Sequence, residues 1–323
     1  IGKDSDLAIY NSFLERCGSI VLTVKARSPS IFDLTASLSR CHNLEVLDIF
    51  NCDISPSLRS VLEHCQNLKF LRINFWDSSH VNGGELVKVG PGLEPRGFSI
   101  KASNLQGLVC PSIKYLKIDN CRDSALTTAL LKTAVNLDAL DFCFHDTQES
   151  LCSTFDNINP SLTALVLPAL TLTLETAQKL VNRLSSLVHL SLSSRNLTVP
   201  MIRELGHLQH LRSLDIASCE EVSDGMLAQL ADACGDKLTE LLLCQNYSLS
   251  LEAVQEVLPH FTQLTSFSMH YDEEAYAIID FSQLARFTTL TVVYDGEGGS
   301  DFVHDLTRHC AEKLQHLHVQ LFD

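Results

Sequence analysis

One short spelling returns along the chain at a nearly constant interval. Leu44-x-x-Leu47-x-Ile49-x-x-Cys52 reappears as Ile113-x-x-Leu116-x-Ile118-x-x-Cys121 and as Leu211-x-x-Leu214-x-Ile216-x-x-Cys219. With its second apolar position as a ruler, the frame falls at Leu22, Leu47, Leu71, Leu116, Leu140, Leu165, Leu190, Leu214, Leu241, Phe267, Leu290 and Leu317. Most steps are about 23 to 27 residues, inside the range of solenoid repeats. The step from Leu71 to Leu116 is much longer, so residues 77–104 hold either an insertion or a degenerate repeat around Phe98 and Ile100.

Each unit has a simple physical reading. Leu47 and Ile49 alternate, which puts both on one face of a short strand. Leu58, Val61 and Leu62 follow at helical spacing, with Ser55 to cap the helix and Pro56 suited to its first position. Neither element buries its apolar face alone, so successive units stack and share one core. The frame predicts an α/β leucine-rich-repeat-like solenoid of about 11–12 repeats, with parallel strands on the concave face and helices on the convex face. A doubly wound open sheet also alternates strands and helices. It does not require apolar residues at three fixed offsets or a Cys or Asn closing the turn.

A solenoid grows without a central core, so the chain reads as one elongated domain over 1–323. It opens in a helix-like stretch (Leu7, Tyr10, Phe13, Leu14) and stops soon after the strand Leu317 to Val319, without polar capping units. That predicts an excerpt of a longer protein. The formal net charge is −15, from 39 acids against 24 Lys and Arg. Nucleic-acid and anionic-membrane binding both rely on clustered cations, so neither is expected. No apolar run is long enough to span a bilayer.

Nine of the 12 cysteines keep step with the frame. Cys52, Cys121 and Cys219 sit where the strand turns outward, where a small polar group can serve the turn backbone. Cys17, Cys41, Cys65, Cys110, Cys234 and Cys310 sit at helix ends, and Cys143, Cys152 and Cys244 are off register. Nothing pairs them systematically, so free buried thiols are expected, with a reducing compartment, cytoplasm or nucleus.

No nucleophile elbow, phosphate-binding loop or zinc-protease motif occurs, so no catalysis and no cofactor are expected. Asp295-Gly296-Glu297-Gly298-Gly299-Ser300-Asp301 is glycine-rich, but carries acids where phosphate needs donors, and reads as a turn. His316 and His318 share a strand face near His304 and His309, and His270, Asp272, Glu273 and Glu274 form a polar cluster. Scattered surface histidines and a solvated acidic turn are the ordinary readings, and no metal is expected.

The candidate surface is the outward face of the strands. Asp48, Asp119, Asp141, Asp215 and Glu240 flank buried strand leucines and form an acidic stripe, interrupted by Arg72 and Lys117, that can steer a basic segment of a protein partner. Ordinary solvated strand surface is the alternative. Phe50, Phe70, Tyr115 and Trp76 stand at or beside outward positions, where aromatics make interface anchors. The long loop, with Gly83-Gly84, Pro91-Gly92 and Pro95, is expected to join that surface.

The unit from Leu211 to Cys234, with Leu214, Ile216, Cys219, Val222, Asp224, Leu227 and Leu230, resembles the cysteine-containing leucine-rich repeats of F-box proteins, and Cys41 to Cys65 is a second copy. The resemblance implies the substrate-recruiting arm of a cullin-type ubiquitin ligase, whose adaptor docks through an F-box outside this chain. The inositol phosphate used by some plant members has no basic cluster to hold it here. Two other classes use such repeats: nucleotide-binding innate-immune receptors, with repeats of about 28 residues, and non-catalytic enzyme regulators.

Overall fold

The computed structural model describes residues 12, 16–27, 38, 40–50, 58–74, 102–121, 123–144, 148–170, 172–194, 196–217, 219, 222–246, 248–272, 280–295 and 299–322. Leu7, Tyr10, Phe13 and Leu14 of the expected first helix, the caps Ser55 and Pro56, Cys52, Trp76, Phe98 and Ile100 lie outside them. The chain divides into two compact units, Ile1–Asn159 and Pro160–Asp323.

In the first unit the strands are β1 (Thr23–Arg27), β2 (Val46–Phe50), β3 (Phe70–Asn74), β4 (Tyr115–Cys121) and β5 (Ala139–Phe144), with helices α1 (Leu58–His64), α2 (Ser124–Thr133) and α3 (Gln148–Phe155). The five strands are parallel and lie in chain order. The ruler residues form one buried row: Val24, Leu47, Leu71, Leu116 and Leu140 are paired and 0–3 % exposed. The first rung corrects the frame. Leu22 is 53 % exposed, and Val24 pairs with Leu47 in its place. Both have the parity of the buried face, and pairing to the next rung selects between them. The long step is also settled. β3 pairs directly with β4, Phe70 opposite Tyr115, so the extra residues add no rung between them and form an insertion.

The second unit has β6 (Ala164–Leu170), β7 (His189–Ser194), β8 (Ser213–Asp215), β9 (Glu240–Leu242), β10 (Ser266–Asp272), β11 (Thr289–Asp295) and β12 (His316–Phe322). Its helices are α4 (Leu174–Arg183), α5 (Val199–Leu205), α6 (Asp224–Cys234), α7 (Leu251–Val257), α8 (Phe281–Leu284) and α9 (Gly299–Cys310). The glycine-rich stretch thus ends as the start of α9. Seven parallel strands again follow chain order. Leu165, Leu190, Leu214, Leu241, Phe267 and Leu290 make the buried row. Side-chain caps fix the starts of α2, α4 and α7: Asp123 accepts from the Ala125 and Leu126 amides, Thr173 from Thr176 and Ser250 from Ala253.

Packing between rungs is close. A methyl group on Gly235 would lie 2.6 Å from the His260 carbonyl oxygen, so glycine is required there by proximity rather than by backbone angle. A side-chain clasp adds to this. At five rungs the residue before the first apolar position of the frame donates to a carbonyl of the preceding rung. Asn43 reaches Ser19 (2.7 Å), Asn67 reaches His42 (3.3 Å) and Asn136 reaches Pro111 (3.2 Å). In the second unit Lys237 takes the carbonyls of Gly206 (2.6 Å) and Leu208 (3.0 Å), and Arg286 that of Leu258 (2.6 Å). These cations meet carbonyls at or just beyond the C-terminal ends of α5 and α7, where positive charge complements the helix dipole.

The described cysteines Cys17, Cys41, Cys65, Cys110, Cys121, Cys152, Cys219, Cys234, Cys244 and Cys310 are free thiols. Cys219 serves the turn as its position suggests: Sγ donates to the Leu192 carbonyl and accepts from the Ser194 amide, both at 3.3 Å. Cys121 contacts the Asp123 carbonyl at 3.5 Å and accepts from Thr127. Burial pushes the Cys65 thiol up to about 12 and Cys110 to about 11, so both stay protonated and unreactive at neutral pH.

Candidate functional site

The sheet face away from the helices carries the residues on either side of the ruler row. In the first unit the row after the ruler reads Lys25, Asp48, Arg72, Lys117, Asp141. The next row brings Asp119 beside Asn74. Across neighbouring strands this row runs cation, acid, cation, cation, acid, and oppositely charged side chains pair. Arg72 Nη2 lies 3.0 Å from Asp119 Oδ2, its Nε donates to the same oxygen at 3.1 Å, and Asp48 Oδ1 stands 3.8 Å from Nε. Lys117 contacts Asp141 Oδ2 and lies 3.8 Å from Asp119 Oδ1. Tyr115 donates its phenol to Asp141 Oδ2 at 3.4 Å. Burial, with the Asp141 carboxylate second, pushes that phenol up to about 12.

Arg72 and Lys117 therefore do more than interrupt a stripe: they neutralise it. Asp48 is 6 % exposed and Asp141 8 %, and each keeps one buried oxygen, Oδ1, that accepts no hydrogen bond among the described residues. Phe70 and Tyr115 stand side by side with ring centroids 4.6 Å apart and planes 3° apart. Both are half-buried. The side chain of Phe50, and Trp76 as a whole, lie outside the described residues.

The second unit builds the same face from other chemistry. Its strands contain no Lys or Arg between Ala164 and Phe322. The rows beside the ruler carry Ser191, Ser213, Ser266, Ser268, Thr289 and Thr291, with Asp215 and Glu240 among them. Asp215 accepts from Ser191 Oγ (2.9 Å) and from the Ala217 amide (3.0 Å). Glu240 accepts from Ser213 and, at 3.3 Å, from Ser266. Among the described residues neither carboxylate meets a cation within salt-bridge distance. Both are half-buried and held by hydroxyl donors, which fixes their orientation. The serines are what a search for charge passes over. Their signal is positional, one residue before or after the ruler. Cys244, an outward position, is half-buried with Sγ against Ser268 Oγ. The side chain of Cys143, the other outward cysteine, lies outside the described residues.

The strand entrances repeat the contrast. Two residues before the ruler, the first unit has Lys69 on Glu45 (2.8 Å) and Lys114 on Asp138 (3.4 Å). The second has Thr288 donating to the Thr265 carbonyl (3.2 Å), Thr265 to Thr239 (3.3 Å) and Thr239 to Arg212 (3.1 Å).

No family model matches the chain, and no curated protein matches it. Solved structures do. One is the leucine-rich repeat-containing protein LegL7 from Legionella pneumophila, at a TM-score of 0.58 and 15% identity, covering 90% of this chain and 97% of that one. Another is a chain of the Rad7 and Elc1 complex in yeast, at a TM-score of 0.55 and 16% identity, covering 97% of this chain and 74% of that one. At these identities the likeness shows the fold: an α/β leucine-rich-repeat architecture.

Proposed function

We propose that the chain is a non-catalytic protein-interaction scaffold whose second unit receives a cationic segment of a partner protein. The observation that carries this reading is the pair Asp215 and Glu240, charged, oriented by hydroxyls and without Lys or Arg on the strands around them. Side chains already fixed lose little entropy on binding. Opposite charge raises the encounter rate and selects the partner. On the first unit, taken by itself, the half-buried Phe70–Tyr115 pair offers a separate apolar contact.

The finer role we propose is the substrate-recruiting arm of an F-box-type ubiquitin ligase subunit, in a reducing compartment. The cysteine-containing spelling around Leu211 to Cys234 supports it, as do the free thiols and the structural likeness to a chain solved in complex with a second protein, Elc1. Affinity capture of the full-length protein from cells, followed by quantitative mass spectrometry, tests that role. A ubiquitin-ligase adaptor should co-purify in near-stoichiometric amount. Capture of the intact protein without any such adaptor contradicts the ligase assignment, while leaving the cationic-partner reading to its own test.

A further inference from the structure

The second unit carries a pair of side chains that the interaction reading does not use. His316 and His318 lie on β12, two residues apart, and so project from the same face of the strand. Their Cα atoms are separated by about 6.6 Å at ordinary strand rise. Two imidazoles at that spacing can turn their outer nitrogens toward one ion, because each side chain adds two rotatable bonds and a planar donor. The neighbours in register on β11 are Thr289 and Thr291, opposite His316 and His318 respectively. These are short side chains that leave room above the strand. Both histidines are exposed, and neither makes a hydrogen bond among the described residues. Their ring nitrogens are therefore available, and no Lys or Arg on the strands of this unit opposes a cation there.

We infer that His316 and His318 form a chelating site for a divalent transition metal of the zinc or nickel type. Neutral imidazole suits these ions and not the hard cations magnesium and calcium. No group of three or more His, Cys, Asp or Glu able to hold a metal occurs among the described residues. The protein thus supplies two donors, and water or a ligand from a second molecule completes the coordination. A site of this kind binds with moderate affinity and keeps open positions. It lies on the same sheet face of the unit as Asp215 and Glu240.

The test uses the full chain and the metal alone. Calorimetric titration with Zn²⁺ and with Ni²⁺ should show one site at micromolar affinity, and Mg²⁺ should show none. Replacing either residue, His316→Gln or His318→Gln, should weaken it by about tenfold or more. The double variant should abolish it. Both positions are exposed, so folding is retained, which circular dichroism confirms. His42→Gln, an exposed histidine of the first unit, should change nothing. In a protein labelled at histidine, Ni²⁺ should broaden the ring resonances of His316 and His318 before those of other histidines. Undiminished binding in the double variant, the absence of a micromolar site, or broadening centred on other histidines would overturn the assignment.

Discussion

The two units share one backbone plan and differ in the chemistry laid on it. Both align ruler residues in a buried row, and both leave alternate side chains on an open sheet face. In the first unit that face is ionic and charge-paired: Asp48, Asp119 and Asp141 lie within ion-pair distance of Arg72 and Lys117. In the second it is built of hydroxyls around two carboxylates that meet no cation among the described residues. The strand entrances follow suit, with Glu–Lys and Lys–Asp pairs in one unit and a threonine series in the other. Net charge alone therefore misjudges where a partner is attracted. Three carboxylates locked to two cations project less field than two carboxylates held by serines.

Alkaline pH strikes both units and has the largest expected effect. The thiols of Cys65 and Cys110 and the phenol of Tyr115 have folded-state values raised to about 12, 11 and 12. Burial in the second unit raises Cys219, Cys234 and Tyr271 as well. A raised value means that the unfolded chain loses its protons first. The stabilisation is complete below the unfolded values, 9.0 for thiols and 10.0 for the phenol, and drains away as pH rises toward the folded ones. Denaturant midpoints should fall steeply above pH 9.0. A flat profile to pH 12 would mean that these groups are solvated.

Substitutions then separate the units. Arg72→Ala strands Asp48 and Asp119, which are mostly buried, and should cost about 2–3 kcal/mol, below the figure for a fully buried pair because Arg72 is partly exposed. Ser213→Ala removes one hydroxyl from Glu240 in the second unit and should cost about 1 kcal/mol. Equal costs in denaturant titrations would erase the contrast. At the strand entrances the effects shrink further. Lys69→Gln opens an exposed pair and should change stability by less than about 1 kcal/mol, with high salt removing the difference between variant and parent.

Much of the fold was legible because the apolar frame is a packing rule. Leu47, Leu116 and Leu214 are buried because a ladder of parallel strands needs one apolar residue per rung at that point. Leu22 misled because Val24 satisfies the same parity and only its pairing with Leu47 decides. The outward positions Asp48, Asp119, Asp141, Asp215 and Glu240 were legible from alternation. Their partners were not, since Arg72 and Asp119 lie 47 residues apart in sequence. The Lys237 and Arg286 clasps were hidden for another reason: their targets are backbone carbonyls, which leave no trace in residue type.

The unneutralised pair on the second unit is the centre of the account, and a binding titration with peptides of graded arginine content tests it directly. Affinity should rise with arginine content for the parent protein. That dependence should vanish in the double variant Asp215→Asn with Glu240→Gln. It should persist in Glu45→Gln with Glu63→Gln, which removes the same charge from the partly exposed partners of Lys69 and Arg59 in the first unit. Equal loss in both double variants would show that net charge, and not the hydroxyl-held pair, draws the partner.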